Sequence, residues 1–434
     1  MSSAVPKDYN TAREEPQTSG TGPETDRQPQ KIISLPQKAD ESSGQNPTLI
    51  PYGRQDINQA DVDAVVEVLR SDFLTQGPVV ARFEQAVADY CQASHAVAVN
   101  SATSALHIAC LALGVGQGDS VWTTPVTFVA SANCAVYCGA KVDFVDIDPQ
   151  TFNLSVEALE IKLREAKNRN SLPKVVIPVH MAGRACDMRG IRRLADEYGF
   201  SIIEDASHAI GARYQNEPVG NCLYSDITVF SFHPVKIITT AEGGMALTND
   251  SRLAARMDLL RSHGVTRDER LMTEASEGPW YYQQIELGFN YRMTDIQGAL
   301  GLSQLQRLDE FVAVRQRIAA SYARLLADLP LQLPSPQLDG YSAFHLYIVR
   351  LQTDKISLDH RQVFEALRDR GIGVNLHYIP VYLQPFYRQR GFTPGYCPEA
   401  EKYYSEAISL PMYPTLSTEQ QTSVCDALRE VLGQ

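Results

Sequence analysis

Phe200-Ser-Ile-Ile-Glu-Asp205-Ala-Ser-His208-Ala-Ile-Gly211 opens as a short hydrophobic strand and closes on two acids. In an open α/β sheet, ligands bind beyond the carboxyl ends of the strands. Asp205 is therefore placed either to meet a ligand or to cap a following helix, a common use of aspartate. Working outward, the same texture recurs: apolar runs at 95–99, 119–123, 141–146, 174–179, 200–204, 227–231 and 244–247, with helical patterns at 102–113, 155–166 and 188–198 between several of them. This alternation predicts an α/β fold with a mostly parallel sheet covered on both faces. Upstream, Val62, Val65, Val66 and Leu69 lie at helical spacing behind Asn58, a good N-cap, and predict a helix over 57–70. Downstream, Leu305, Leu308, Phe311, Val312, Ile318, Tyr322 and Leu325 predict a long amphipathic helix over 303–328. The pattern then shifts to strand 344–351, helix 358–369, strand 373–378 and a terminal helix over 418–432. A large domain over 48–310 and a smaller α+β domain over 311–434 follow from this change.

Residues 1–47 differ. They hold six of the 24 prolines and one aromatic, Tyr9. Such a segment buries too little apolar surface to offset its ordering entropy, and a disordered extension is expected. The 434 residues carry 39 Lys and Arg against 51 Asp and Glu, a net charge of −12, which argues against a general nucleic-acid binder. No apolar stretch reaches the roughly 18 residues of a membrane span. Cys110, Cys134, Cys138 and Cys425 sit in apolar segments, as buried thiols of a cytoplasmic protein do. No histidine pairs with Cys or Asp at metal-ligand spacing, so no metal site is expected.

Ser231-Phe-His-Pro-Val-Lys236-Ile-Ile-Thr-Thr-Ala-Glu-Gly-Gly244 places one lysine in an apolar or small-residue run. It is either an exposed loop lysine or a desolvated one. A desolvated lysine has a lowered pKa and can attack an aldehyde as the neutral amine, forming a Schiff base. A carboxylate at Asp205 could then hold the protonated ring nitrogen of pyridoxal phosphate. Val97-Ala-Val-Asn-Ser101-Ala102-Thr103-Ser104 is a strand, a small-residue turn and a helix start, where backbone N–H groups and the helix dipole favour a phosphate. Thr123-Thr-Pro-Val-Thr-Phe128 puts an aromatic just past a strand, either to stack on a flat ring or to fill core.

Several blocks in order carry a resemblance: Asn100-Ser-Ala-Thr-Ser-Ala-Leu106, Glu204-Asp-Ala-Ser-His-Ala-Ile-Gly211, Ser231 to Lys236, Glu242-Gly-Gly244, Arg261-Ser-His-Gly264 and Gly288-Phe-Asn-Tyr-Arg-Met-Thr-Asp295. From about residue 48 to 434 the chain resembles the pyridoxal-phosphate-dependent sugar-nucleotide aminotransferases of fold type I, the DegT/DnrJ/EryC1/StrS family. His208, where most relatives carry Gln, together with Lys236-Ile-Ile-Thr-Thr240, Leu74-Thr-Gln-Gly77 and Val374-Asn-Leu-His-Tyr-Ile-Pro-Val381, is most similar to the branch acting in pseudaminic acid synthesis. The resemblance implies that Lys236 bears the cofactor and moves the proton. It implies that Asp205 pairs with the ring nitrogen, His208 sits near the phenolic oxygen and Phe128 stacks on the ring. Ala102, Thr103 and Ser231 would bind the phosphate, and Asn290 would reach the cofactor of a neighbouring subunit in a homodimer with shared active sites. Tyr52, the segment Asp72, Phe73, Leu74 and Thr75, and His377, Tyr378 and Ile379 would touch a UDP-linked keto sugar, with L-glutamate as amino donor. Another nucleotide-linked 3- or 4-keto sugar, or a non-catalytic regulator on the same fold, are the competing expectations.

Overall fold

The computed structural model describes residues 49–337 and 340–433, and the extension expected over 1–47 lies outside them. Its centre is a seven-stranded sheet: β1 (His95–Val99), β2 (Ser120–Thr123), β3 (Lys141–Phe144), β4 (Val175–Ile177), β5 (Ser201–Asp205), β6 (Ile227–Ser231) and β7 (Gly244–Thr248). The spatial order is β1-β7-β6-β5-β4-β2-β3. Pairing is parallel from β3 through β2, β4 and β5 to β6, while β7 runs antiparallel to β6 and β1. The mostly parallel sheet predicted from the alternation is thus present.

Side chains of a strand alternate between its faces, and here the alternation sorts them into two cores. Val97, Val99, Val175, Ile177 and Ile203 join one cluster, whereas Ala98, Val176 and Ile202 join the other. The same rule aims the two acids that end β5 in opposite directions. Asp205 shares the face of Ile203, where helices Ala102–Ala112 and Ala130–Tyr137 pack. Glu204 shares the face of Ile202 and meets His180 Nε2 at 2.7 Å.

The C-terminal part adds an antiparallel sheet of β8 (Leu331–Gln332), β9 (Tyr347–Leu351) and β10 (Ala407–Leu410), backed by helices His360–Asp369 and Thr418–Leu432. Helix Leu308–Leu325 crosses the division placed between residues 310 and 311. Its Leu308, Phe311 and Val312 pack on the large sheet, and its Ile318, Ala319 and Tyr322 on the C-terminal core.

Three expectations change. The helix over 303–328 is two helices, Asp295–Leu305 and Leu308–Leu325: the break falls at Gln306 and Arg307, where Arg307 leaves helical geometry (φ −104°, ψ 5°) and its guanidinium bonds Asp61 Oδ2 at 2.6 Å. The strand over 344–351 begins only at Tyr347, since Ala343 and Leu346 donate their N–H groups to the carbonyls of Gly183 and Ala182. The strand over 373–378 is irregular backbone. Its alternating Val374 and Leu376 mimic a strand, yet only Asn375 pairs with Ser409, and His377 Nδ1 takes the Ser409 hydroxyl at 2.8 Å. No described helix is long and apolar enough to cross a membrane.

Candidate active site

A cavity of about 950 Å³ opens beyond the carboxyl ends of the parallel strands. Its walls collect residues far apart in sequence: Ala102 and Thr103, Phe128, Asp205 and His208, Ser231 and Lys236, then Tyr52, His377 and Tyr378. Ten of the expected site residues therefore meet in one space.

Lys236 sits in the turn between β6 and β7, where its N–H is held by the His233 carbonyl at 2.9 Å. It is half-buried, and its amine makes no hydrogen bond or ion pair to any described residue. Burial pushes its pKa down from 10.5 to about 8, with the Asp205 charge acting the other way. The choice left open by the sequence falls to the desolvated lysine.

Asp205 is 5% exposed, and no helix follows it, which removes the capping explanation. Its Oδ2 accepts a 2.6 Å hydrogen bond from Ser131 Oγ and its Oδ1 accepts from the Ser207 N–H at 3.1 Å. Ser131 is fixed in turn by Thr127 Oγ1 at 2.7 Å. These two donors fix the orientation of the buried carboxylate.

The anion end is the start of helix Ala102–Ala112. Ser101 Oγ caps the Ser104 N–H at 3.1 Å, and Ser104 Oγ donates to Asn100 Oδ1 at 2.7 Å. The N–H groups of Ala102 and Thr103 remain at an open N-terminus whose dipole favours negative charge. Gly244 makes this turn possible: a Cβ there would stand 2.5 Å from Ala102 N and from Ser101 C. Ser231, at the end of β6, lines the same region.

Phe128 is 59% exposed, so it is no core residue; its ring stands 6.3 Å from that of Tyr378. His208 is buried, its Nδ1 accepting from the Ala182 N–H at 3.3 Å and its Nε2 lying 3.2 Å from Tyr378 Oη. Burial, then the positive charges of Lys236 and His377, hold its pKa well below the usual histidine range. Burial and Lys236 likewise take His377 down to about 3.

Three contributors were missed by sequence reasoning. Ser131 holds Asp205, His345 lies with its ring 4.4 Å from that of His208, and Asn375 lines the wall. Ser131 lies four residues after Thr127, just inside the start of helix Ala130–Tyr137, a spacing that signals contact only once the acid is placed beside it. His345 was read as part of a strand, a pattern that carries no sign of a cavity.

Asn290, the segment Asp72 to Thr75, and Ile379 do not line this cavity. Phe73, Leu74 and Ile379 are exposed, and Thr75 bridges Thr294. Asn290 is one contact removed, its carbonyl accepting from Asn100 Nδ2 at 3.3 Å.

A fixed buried carboxylate, a desolvated amine, an open helix N-terminus with hydroxyls and an exposed aromatic face form a donor set that fits pyridoxal phosphate, with its ring nitrogen, aldehyde, phosphate and flat ring. Fold and site together define a pyridoxal-phosphate-dependent aminotransferase. Residues 55–429 match the DegT/DnrJ/EryC1/StrS aminotransferase family, and the chain belongs to it. The spore coat polysaccharide biosynthesis protein SpsC of Bacillus subtilis is 37% identical over 386 residues, covering 88% of this chain and 97% of SpsC. Helicobacter pylori PseC, an aminotransferase involved in the biosynthesis of pseudaminic acid, superposes with a TM-score of 0.81 at 32% identity, over 89% of this chain and 100% of that one. The pyridoxal-phosphate form of the sugar aminotransferase Spr1654 from Streptococcus pneumoniae does so with a TM-score of 0.79 at 29% identity, over 89% and 99%. The protein is a sugar aminotransferase that uses pyridoxal phosphate.

Proposed function

We propose that the enzyme moves an amino group from L-glutamate to C4 of a UDP-linked 4-keto-6-deoxy-N-acetyl hexose, UDP-2-acetamido-2,6-dideoxy-β-L-arabino-hex-4-ulose, in cytoplasmic pseudaminic acid synthesis. The observation that carries this reading is the meeting of Lys236, Asp205 and the Ala102 helix start in one cavity whose remaining wall includes His208. The likeness to PseC over that protein's whole length supports the choice of sugar.

Pyridoxal phosphate supplies an aldehyde that exchanges amines and a protonated ring that takes up an electron pair. Everything else falls to the chain. Lys236 Nζ, whose pKa burial lowers to about 8, would take a proton from the reacting carbon and pass it to the cofactor carbon that bore the aldehyde. Asp205 would hold the proton on the ring nitrogen, and Ser131 and Ser207 hold Asp205 in place. The Ala102 and Thr103 N–H groups and the Ser231 hydroxyl hold the phosphate. Phe128 covers the ring face. His208 holds the phenolic-oxygen end, directly or through a neighbour.

Tyr52, His377 and Tyr378 form the sugar side of the wall, with Ile379 at its rim. Asn290 and the exposed segment Asp72 to Thr75 serve the site of a second subunit, so the working unit is a homodimer with shared sites. The deciding experiment is a panel of UDP- and dTDP-linked 3- and 4-keto sugars incubated with L-glutamate and the holoenzyme, the aminated carbon being read by NMR. Amination at C4 of the UDP-linked N-acetyl sugar is expected, and turnover confined to a 3-keto or dTDP-linked sugar would refute the assignment.

A further inference from the structure

Gly183 has φ +96°, and a Cβ there would stand 2.9 Å from Phe344 N and 3.0 Å from both His208 O and His345 N. Glycine at this point lets the 182–183 loop lie directly against His208, which brings the Ala182 N–H to His208 Nδ1 at 3.3 Å. A backbone N–H only donates, so Nδ1 accepts and carries no proton. The imidazole is neutral for the reasons given above, and its single proton therefore sits on Nε2. That proton points to Tyr378 Oη, 3.2 Å away. A hydroxyl that accepts one hydrogen bond keeps its own proton to donate elsewhere, and Tyr378 lines the cavity. Burial, then the Asp205 and Tyr52 charges, push the Tyr378 pKa up, which keeps it a phenol.

We propose that the Tyr378 hydroxyl, oriented by His208, is the hydrogen-bond donor to the phenolic oxygen of the bound cofactor, and that His208 is a positioning residue acting through it. This rests on the cofactor site proposed above, and it transfers to Tyr378 the contact that the resemblance gives to His208. The groups facing the pair are Lys236, Asp205, His345, His377, Tyr52 and Tyr403. None of them is altered below, so their influence is common to all variants.

A donor to the phenolic oxygen stabilises its negative charge and weakens the hold of the bound chromophore on its proton; loss of the donor strengthens it. The test is the pH midpoint of the visible absorbance of the holoenzyme, together with the affinity of the apoenzyme for pyridoxal phosphate. Tyr378→Phe, nearly isosteric, should raise the midpoint by about one pH unit, a tenfold change in proton affinity. His208→Asn keeps an acceptor for the Ala182 N–H but cannot reach Tyr378, and should shift the midpoint similarly. His208→Gln restores a donor at the Nε2 position and should recover most of the wild-type value. The double variant Tyr378→Phe/His208→Asn should shift no further than Tyr378→Phe alone. A Tyr378→Phe midpoint equal to wild type would overturn the proposal, and a shift in His208→Asn alone would make His208 the direct donor. A wild-type protein with no cofactor absorbance at all is a different result, and it would remove the site itself.

Discussion

Ser131 Oγ donates a 2.6 Å hydrogen bond to Asp205 Oδ2 across the junction between a helix and the end of a parallel strand. The strand alternation that aims Asp205 at this face also aims it at the Ser131 hydroxyl that holds it. A hydrogen bond to a charged group contributes about 1.5–3 kcal/mol. Ser131→Ala is therefore expected to lower kcat/KM by about 10- to 100-fold, since a 1.4 kcal/mol loss is tenfold. Steady-state kinetics of the variant, with its fold verified, measure this; unaltered kcat/KM would show that Asp205 needs no such support.

Lys236 gives a pH dependence with a defined sign. Its amine is charged below about pH 8 and neutral above it. Capture of pyridoxal phosphate by the apoenzyme needs the neutral amine, so its rate should rise with pH and level off above about 8. The rate of appearance of visible absorbance after mixing measures it. A rise centred near 10.5, the ordinary lysine value, would mean that the amine is not desolvated.

Gly244→Ala tests the anion end. The new Cβ would press on the backbone at Ser101 and Ala102 rather than on a movable side chain. Overpacking of this kind costs about 1–3 kcal/mol, and here it falls on the helix start that binds phosphate. The dissociation constant for pyridoxal phosphate, by equilibrium titration of the apoenzyme, is expected to rise about tenfold or more. An unchanged constant would place the phosphate elsewhere.

Glu204, on the opposite face of β5, has a structural task. Burial raises its pKa, but the contacts with His180, Ser225 and Thr228 outweigh this and hold it below the usual value. His180 Nδ1 accepts the Cys186 N–H at 3.1 Å and so carries no proton, which leaves a neutral imidazole whose Nε2 proton is given to Glu204. The pair therefore stabilises the fold at neutral pH. Its contribution is lost as pH falls through the lowered Glu204 pKa. Glu204→Gln removes the charge that His180, Ser225 and Thr228 bond and should cost about 1.5–3 kcal/mol at neutral pH, read from chemical denaturation. A loss below about 1 kcal/mol would show that the fold does not depend on the Glu204 charge.

Much of this was legible in the sequence because parallel strands are buried on both faces and read as uninterrupted apolar runs; β6 has the limits expected from such a run. Lys236 stood out as one charge in an apolar run. What stayed hidden depends on packing between distant segments. His345 enters the cavity because Gly183 lets a loop lie against it, and the 373–378 segment leaves the sheet because His377 bonds a side chain instead of a backbone partner. No periodicity encodes either event. Phe128 was ambiguous until its exposure was known.

The central claim is that Lys236 carries aminotransfer in this cavity. Its most direct test is the 2-oxoglutarate released when L-glutamate is added, without any keto sugar, to cofactor-loaded wild type and to Lys236→Ala of verified fold. About one equivalent per subunit is expected from wild type and none from the variant. Equal release from both would contradict the assignment.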